Sequence, residues 1–278
     1  MPKRVTPSAA SVGASQSIDF RDDAHWFTSL CRAVRSRRQA RVTEQIADAL
    51  GLAILTGKWQ AGALLPAEND TRSRLEVSPA AYRAALRILT GKGLLESTGE
   101  SSTGESRTRV ASRDRWQLLD ADVLRWTFES APNEEVVQEV FELRDMLEPY
   151  AAELAAKRRS VDQLSIMRDA LEELARFGLG TEQGRAADRR FHEQLFLASG
   201  NRLLAALSDS IGSTVELTTL YKLRSSHALR DPVSEHTALY TAILEGDTQR
   251  ANAASHLLIH FALEDTRMCM RAIPPGTV

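Results

Sequence analysis

The sequence predicts a mainly α chain in two parts: an N-terminal winged helix-turn-helix, then an all-α antiparallel helical bundle. Three observations carry this reading: a three-helix pattern closed by a polar hairpin within residues 41–113, helical apolar spacing without strand alternation over residues 131–271, and a change in the sign of charge. Residues 1–115 hold 18 Lys and Arg against 12 Asp and Glu, whereas residues 116–278 hold 17 against 25. A basic front and an acidic back fit a polyanion-binding module joined to a domain of another purpose.

Residues 1–40 open Ser/Ala/Thr-rich and end in a basic run, "CRAVRSRRQAR", reading as a flexible basic arm with a short helix near "DDAHWFTSLCRAV". That run fits a solvated face as well as a DNA-contacting arm. From Thr43, Ile46, Ala49, Leu50, Ala53 and Ile54 recur at i, i+3, i+4, i+7 and i+8, a helix of about four turns stopped by Gly57. The stretch "LLPAENDTRSRLEVS" gives a turn and a short second helix. In "SPAAYRAALRILTGKG", Ser78 suits the N-cap and Pro79 the first helical position, while Tyr82, Ala85, Leu86 and Leu89 form a buried face. The runs "LLEST" and "RTRVA", joined by the polar "GESSTGES", make the two strands of the wing.

Residues 114–130, with "RWQLLDADVLRWTFE", form a Trp-marked connector. The bundle begins at Pro132 with a helix through Val136, Val140, Leu143 and Leu147; Ser160 with Gln163 marks a capping box, and Asp231–Pro232 and Asp247 mark later starts. Six or seven helices are expected, then a tail at residues 272–278. With 43% hydrophobic and 26% charged residues the chain is expected to be soluble, and no apolar run nears the roughly 20 residues of a bilayer span. The opening residues lack a signal-peptide core, so a cytoplasmic place is expected, with no membrane partner. Cys31 and Cys269 are too far apart in sequence for a cysteine zinc motif and read as reduced thiols. Trp26, Trp59, Trp116 and Trp126 read as packing anchors, and His25 and His227 as surface residues.

In "AADRRFHEQLFLASGN", Asp188 and His192 lie four residues apart on one helix face, so a carboxylate oxygen and a ring nitrogen can converge on one cation. Alone, the pair is weak evidence, since a solvent-exposed Asp/His pair is commoner than a ligand pair. Asn201 follows in "ASGN", and His236 opens a later helix in "SEHTALYTAILEGD".

Through "EQIADALGLAILTGKWQAGALLPAE", "VSPAAYRAALRILTGKGLL", "DRRFHEQLFLASGN" and "EHTALYTAILEGD", the chain resembles the GntR family of bacterial transcriptional regulators, in its FadR-like branch with a helical FCD effector-binding domain. The resemblance covers roughly residues 41–271, and the connector resembles that of sugar-acid, galactonate-type repressors. It implies a ligand-responsive, DNA-binding homodimer on a two-fold operator, and no enzyme. For DNA contact it points to Ser78, Tyr82, Arg83 and Arg87 on the recognition helix, Asn69 and Arg74 ahead of it, and Arg107 and Arg109 on the wing, with Lys92 as a further phosphate holder. Pro79 and Asn69 stand where the family carries arginines, and the wing lacks the family's glycine-rich turn, so no operator sequence carries over.

In the bundle the resemblance implies a divalent metal, zinc or similar, held by Asp188, His192, His236 and a third histidine about 22 residues further on. That count arrives at Leu258, with His256 and His260 two residues to either side and so about 200° away around a helix. Three arrangements remain open: three ligands and water, a shifted helix that brings in His256 or His260, or no metal and an effector held directly. Arg144 and Asn201 are expected to anchor a small carboxylate or sugar acid, the alternative for Arg144 being a surface pair with Glu148. Two other functions compete, a metal-sensing regulator and a helical metal-dependent hydrolase. Against the hydrolase stand the winged helix and the lack of an HExxH or HD motif.

Overall fold

The computed structural model describes residues 39–100, 106–130, 133–225 and 230–272, and the chain divides into two compact units after Gln117. The arm before residue 39, with His25, Trp26 and Cys31, lies outside the described residues, as do Pro132, His227 and the tail from 273.

In the first unit α1 (Gln39–Leu55) buries Ile46, Leu50, Ala53 and Ile54 as its spacing requires, and Gly57, at φ +73°, turns the chain away. Helix α2 (Glu68–Leu75) ends at Glu76 in the left-handed region, φ 55°, which forces the sharp turn into α3 (Pro79–Gly91). Ser78 caps α3 by accepting from the Ala81 amide, with Pro79 at the first position. The wing pairs β1 (Leu95–Glu100) with β2 (Ser106–Val110) antiparallel, Glu96 opposite Arg109. Gly93 is obligatory between α3 and the wing, because a Cβ there would lie 2.0 Å from the Arg115 carbonyl oxygen.

The connector is not one linker. Trp116 donates to the Ala111 carbonyl and the Gln117 amide to that of Lys92, tying this end to the wing, whereas α4 (Ala121–Glu129), capped by Asp120, packs on the bundle. Asp120 supplies the cap that converts a linker-like stretch into a helix.

The bundle contains α5 (Glu134–Arg158), α6 (Val161–Phe177), α7 (Glu182–Ala198), the single turn α8 (Arg202–Ala205), α9 (Ser208–Lys222), α10 (Val233–Glu245) and α11 (Thr248–Ala272). Helix α5 packs on α11, α6 on α7, and α7 on α9, around a core of Ala151, Phe191, Leu195, Phe196, Leu239 and Ile243. The Ser160–Gln163 capping box starts α6, and Asp231 and Asp247 accept backbone amides at the starts of α10 and α11. Helix α5 starts at Glu134, not Pro132, because the Asn133 side chain caps it through the Val136 amide. Its expected apolar face, Val136, Val140, Leu143 and Leu147, is only half-buried, while the adjacent stripe of Val137, Phe141, Arg144 and Glu148 goes fully inside. Among the described residues no helix is long and apolar enough to cross a membrane.

Candidate functional site

In the winged-helix unit, the start of α3, the start of α2 and strand β2 border a groove of about 360 Å³ lined by Glu68, Asn69, Tyr82, Arg83 and Arg107. Asn69, Arg83, Arg87 and Arg107 are exposed. The Ser78 oxygen is used as a cap, which leaves its hydrogen free to donate. Arg83 rests on Glu68 at 2.9 Å and Arg109 on Glu96 at 2.6 Å, so both guanidinium groups already hold carboxylates. Tyr82 corrects the expectation of DNA contact: it is 1% exposed, aligned with Ala81, Ala85 and Leu89 on the core side, and burial pushes its phenol above its ordinary pKa. The side chain of Arg74 lies outside the described residues.

The helical unit brings together residues from five helices, α5, α7, α9, α10 and α11. Thr181 caps α7 by accepting from the Gly184 amide, and Gly184 must be glycine because a Cβ would lie 1.8 Å from the Gly178 carbonyl oxygen. This close approach of α7 to the end of α6 sets Asp188 and His192 inward. His236 sits in the first turn of α10, and its ring meets Phe191 edge-on with centroids 5.0 Å apart. Asp188, His192 and His236 are buried together, their ligand atoms all within 4.8 Å of one another.

Hydrogen bonding fixes which ring atoms face the centre. His192 Nδ1 lies 2.8 Å from Glu148 Oε2, and His236 Nδ1 lies 2.9 Å from the Pro232 carbonyl. Both partners only accept, so each Nδ1 carries a proton and each ring turns Nε2 inward, where its lone pair would be free for a metal. Those two Nε2 atoms are 3.3 Å apart, and Asp188 Oδ1 lies 3.0 Å from His236 Nε2 and 3.9 Å from that of His192. Close as it is, Asp188 Oδ1 is buried without a well-aligned hydrogen bond. Three lone-pair atoms thus converge near the roughly 3.3 Å separation expected of ligands about 2.0–2.1 Å from one tetrahedral ion. Two imidazoles and a carboxylate, with a carboxylate behind one ring and a carbonyl behind the other, fit a divalent transition ion.

The electrostatics agree. Burial alone would raise the pKa of Glu148, but Arg144, 2.7 Å from Glu148 Oε1, and the His192 ring outweigh it and hold the carboxyl at about 2. Asp188 is likewise held below its ordinary value against the pull of burial, by His236, His192 and Lys222. Burial opposes the charge on His236, yet Asp188 overrides it and pushes the ring pKa up, as a negative cluster favours any positive charge placed beside it.

The fourth position is Leu258, buried and lining the cavity; His256 is exposed on Asp145 at 2.7 Å, and His260 is exposed. Both histidines are corrected away from the site by their rotation of about 200° from Leu258. Asn201 is also corrected: its oxygen accepts from the Leu203 and Leu204 amides as the cap of α8, and it does not line the cavity. Arg144 borders the cavity and also pairs with Glu148, but the pair is buried, not on the surface. The cavity holds about 30 Å³, room for about two water-sized guests. Sequence reasoning offered Glu148 only as a surface partner of Arg144, and it missed Lys222, Arg230 and Asp265, which line the cavity. A lysine within the apolar-flanked "TLYKL" and a glutamate four residues after Arg144 were the available signals.

Residues 42–104 match the family model described as bacterial regulatory proteins, gntR family, and residues 139–261 match that of the FCD domain. The chain is 30% identical over 218 residues to the galactonate operon transcriptional repressor of Escherichia coli (strain K12), covering 78% of this chain and 93% of that protein. It is 28% identical over 206 residues to the HTH-type transcriptional regulator LutR of Bacillus subtilis (strain 168), covering 72% and 90%. A solved structure described as "Lar controls the expression of the Listeria monocytogenes agr system and mediates virulence" shares the fold at TM-score 0.55 and 16% identity, covering 82% of this chain and 97% of that one.

Proposed function

The chain belongs to the GntR family of DNA-binding transcriptional regulators and carries an FCD domain, and from that premise we propose that its helical unit binds a small carboxylate through a divalent cation and thereby controls operator binding by a homodimer. The observation that carries this reading is the convergence of Asp188 Oδ1, His192 Nε2 and His236 Nε2, with both rings locked by acceptors at Nδ1. Asp188, His192 and His236 would hold the ion, and an open coordination position on it would polarise and orient an acid. Arg144, which lines the same cavity, would add a second cation for the acid.

The similarity to a galactonate operon repressor makes a sugar acid the first ligand to try. A six-carbon acid exceeds the cavity of about 30 Å³, so its entry has to displace lining helices. Such a displacement gives the ligand a preference between two states, and only that preference can shift operator affinity. One winged helix covers a half-site, so two-fold pairing supplies the second.

The test is operator-fragment binding by full-length protein before and after chelation, with and without D-galactonate, alongside elemental analysis. One equivalent of metal and a ligand effect that chelation abolishes are expected. Stoichiometric metal whose removal alone changes operator affinity, with every acid inert, would favour a metal sensor. Absence of metal together with identical operator affinity in all conditions would sink the proposal.

A further inference from the structure

Lys222 is the charged group at the cavity that the site leaves unused. It ends α9 at 5% exposure, on the same face as the cavity-lining Thr218 and Thr219 one turn earlier. Its ammonium has no hydrogen bond and no ion pair within 4.0 Å among the described residues; Asp188 and Asp265 act on it only through space. The neighbouring cations are both engaged, Arg144 by Glu148 and Arg230 by Glu235 and Asp265.

A divalent ion on Asp188 would neutralise the negative charge that otherwise acts on Lys222. A divalent ion on one carboxylate and two neutral imidazoles keeps one positive charge, and the Lys222 ammonium borders the same small space. Two like charges facing across a poorly hydrated cavity repel, and a buried charge without a partner is costly. One anion between them removes both problems, whereas a neutral polyol removes neither.

We propose that Lys222 is a ligand-anchoring residue: a carboxylate binds between its ammonium and the cation held by Asp188, His192 and His236, so the cavity selects monoanionic acids over neutral polyols. This rests on the metal reading of the triad, and the test separates the two. Full-length protein is loaded with Co²⁺, whose visible bands report its coordination, and titrated with acetate and with neutral acetamide. Wild type takes one Co²⁺ and responds to acetate, not acetamide.

Lys222→Met keeps Co²⁺ at least as tightly, because a like charge has gone, and binds acetate about tenfold or more weakly. Lys222→Arg keeps the charge and retains acetate binding. A melting midpoint confirms that each variant is folded, and Lys222→Gln replaces the methionine variant if that one is not. Equal acetate affinity in Lys222→Met and wild type overturns the role of Lys222 and leaves the metal standing. Joint loss of Co²⁺ and acetate makes Lys222 a structural residue and overturns it too. Wild type without stoichiometric Co²⁺ removes the metal reading and this proposal together.

Discussion

In the winged-helix unit Arg83 rests on Glu68 and Arg109 on Glu96 with the arginine side chains 62% and 44% exposed, whereas in the helical unit Arg144 rests on Glu148 with the two side chains at 3% and 0%. The contact is nearly the same, 2.9 and 2.6 Å against 2.7 Å. What differs is the replaceability of the partner. An exposed pair is worth about 0–1 kcal/mol, so a phosphate can displace the carboxylate at little cost. A buried pair has lost its water, and removing one member strands the other. One unit therefore keeps its arginines available, while the other uses an arginine to hold Glu148, and through it His192, in place.

The sharpest way to break this contrast is Glu148→Ala. It strands Arg144 in the core and releases His192 Nδ1, and the expected loss is about 3–5 kcal/mol in urea denaturation. An unchanged midpoint would mean that water reaches Arg144 and that the two kinds of pair are alike. Acid should reveal the same group without mutation. Glu148 has its folded pKa depressed to about 2 from an ordinary 4.5, so its stabilisation is complete above 4.5 and is lost as pH falls from there toward about 2. The loss is on the order of 3 kcal/mol, since each unit corresponds to about 1.4 kcal/mol. In metal-free protein the raised His236 works with the opposite sign: its contribution is full below about 6.5 and lost as pH rises through the higher folded value.

Glu148→Gln sharpens the comparison by keeping volume and removing charge. The amide holds His192 less firmly, and metal affinity should fall about 10–100-fold in competition with a chromogenic chelator. Operator affinity of the metal-free protein should stay unchanged, since the exposed arginines are untouched.

These differences bear on what sequence can disclose. Local rules carried the fold: Ser78 with Pro79, the Ser160–Gln163 box and the spacing from Ile46 to Ile54 each depend on residues within a turn or two of one another. Asp188 and His192 were legible for the same reason, being one turn apart, and His236 entered through family likeness. The i, i+4 spacing showed Glu148 beside Arg144 but not its bond to His192, and Lys222, Arg230 and Asp265 lie at distances along the chain that no periodicity connects to the triad, so only packing assembles them. Helix α5 misled in a similar way. Its apolar stripe is half-buried beside a fully buried one that contains Arg144 and Glu148, because a paired charge can occupy a core position that composition would deny it. Tyr82 and Asn201 misled through motif position, since a residue within a binding segment can serve the core or cap a helix instead.

On the exposed side, Arg87→Ala and Arg107→Ala should each weaken operator binding across all sequences and flatten the slope of log affinity against log salt by about 0.9, the value for one phosphate contact. Stability should be unaffected within about 0.5 kcal/mol.

The smallest effect asked of the comparison is also the most specific. Glu68→Ala removes the carboxylate on which Arg83 rests, at a site where both side chains are at least one-third exposed. Glu68 also lies in the first turn of α2, where a negative charge is favourable, so the expected stability loss is about 0.3–1 kcal/mol. Operator affinity should move the other way. Arg83 no longer has to leave a carboxylate to reach phosphate, and a repulsive charge has gone from the groove beside Asn69 and Arg107. Binding in low salt should tighten by a few-fold, with the gain fading as salt rises past about 0.15 M and screens the charge. Weaker binding in this variant would show that Glu68 positions Arg83 for the DNA, and the exposed pair would then resemble the buried one in being built to hold and not to let go.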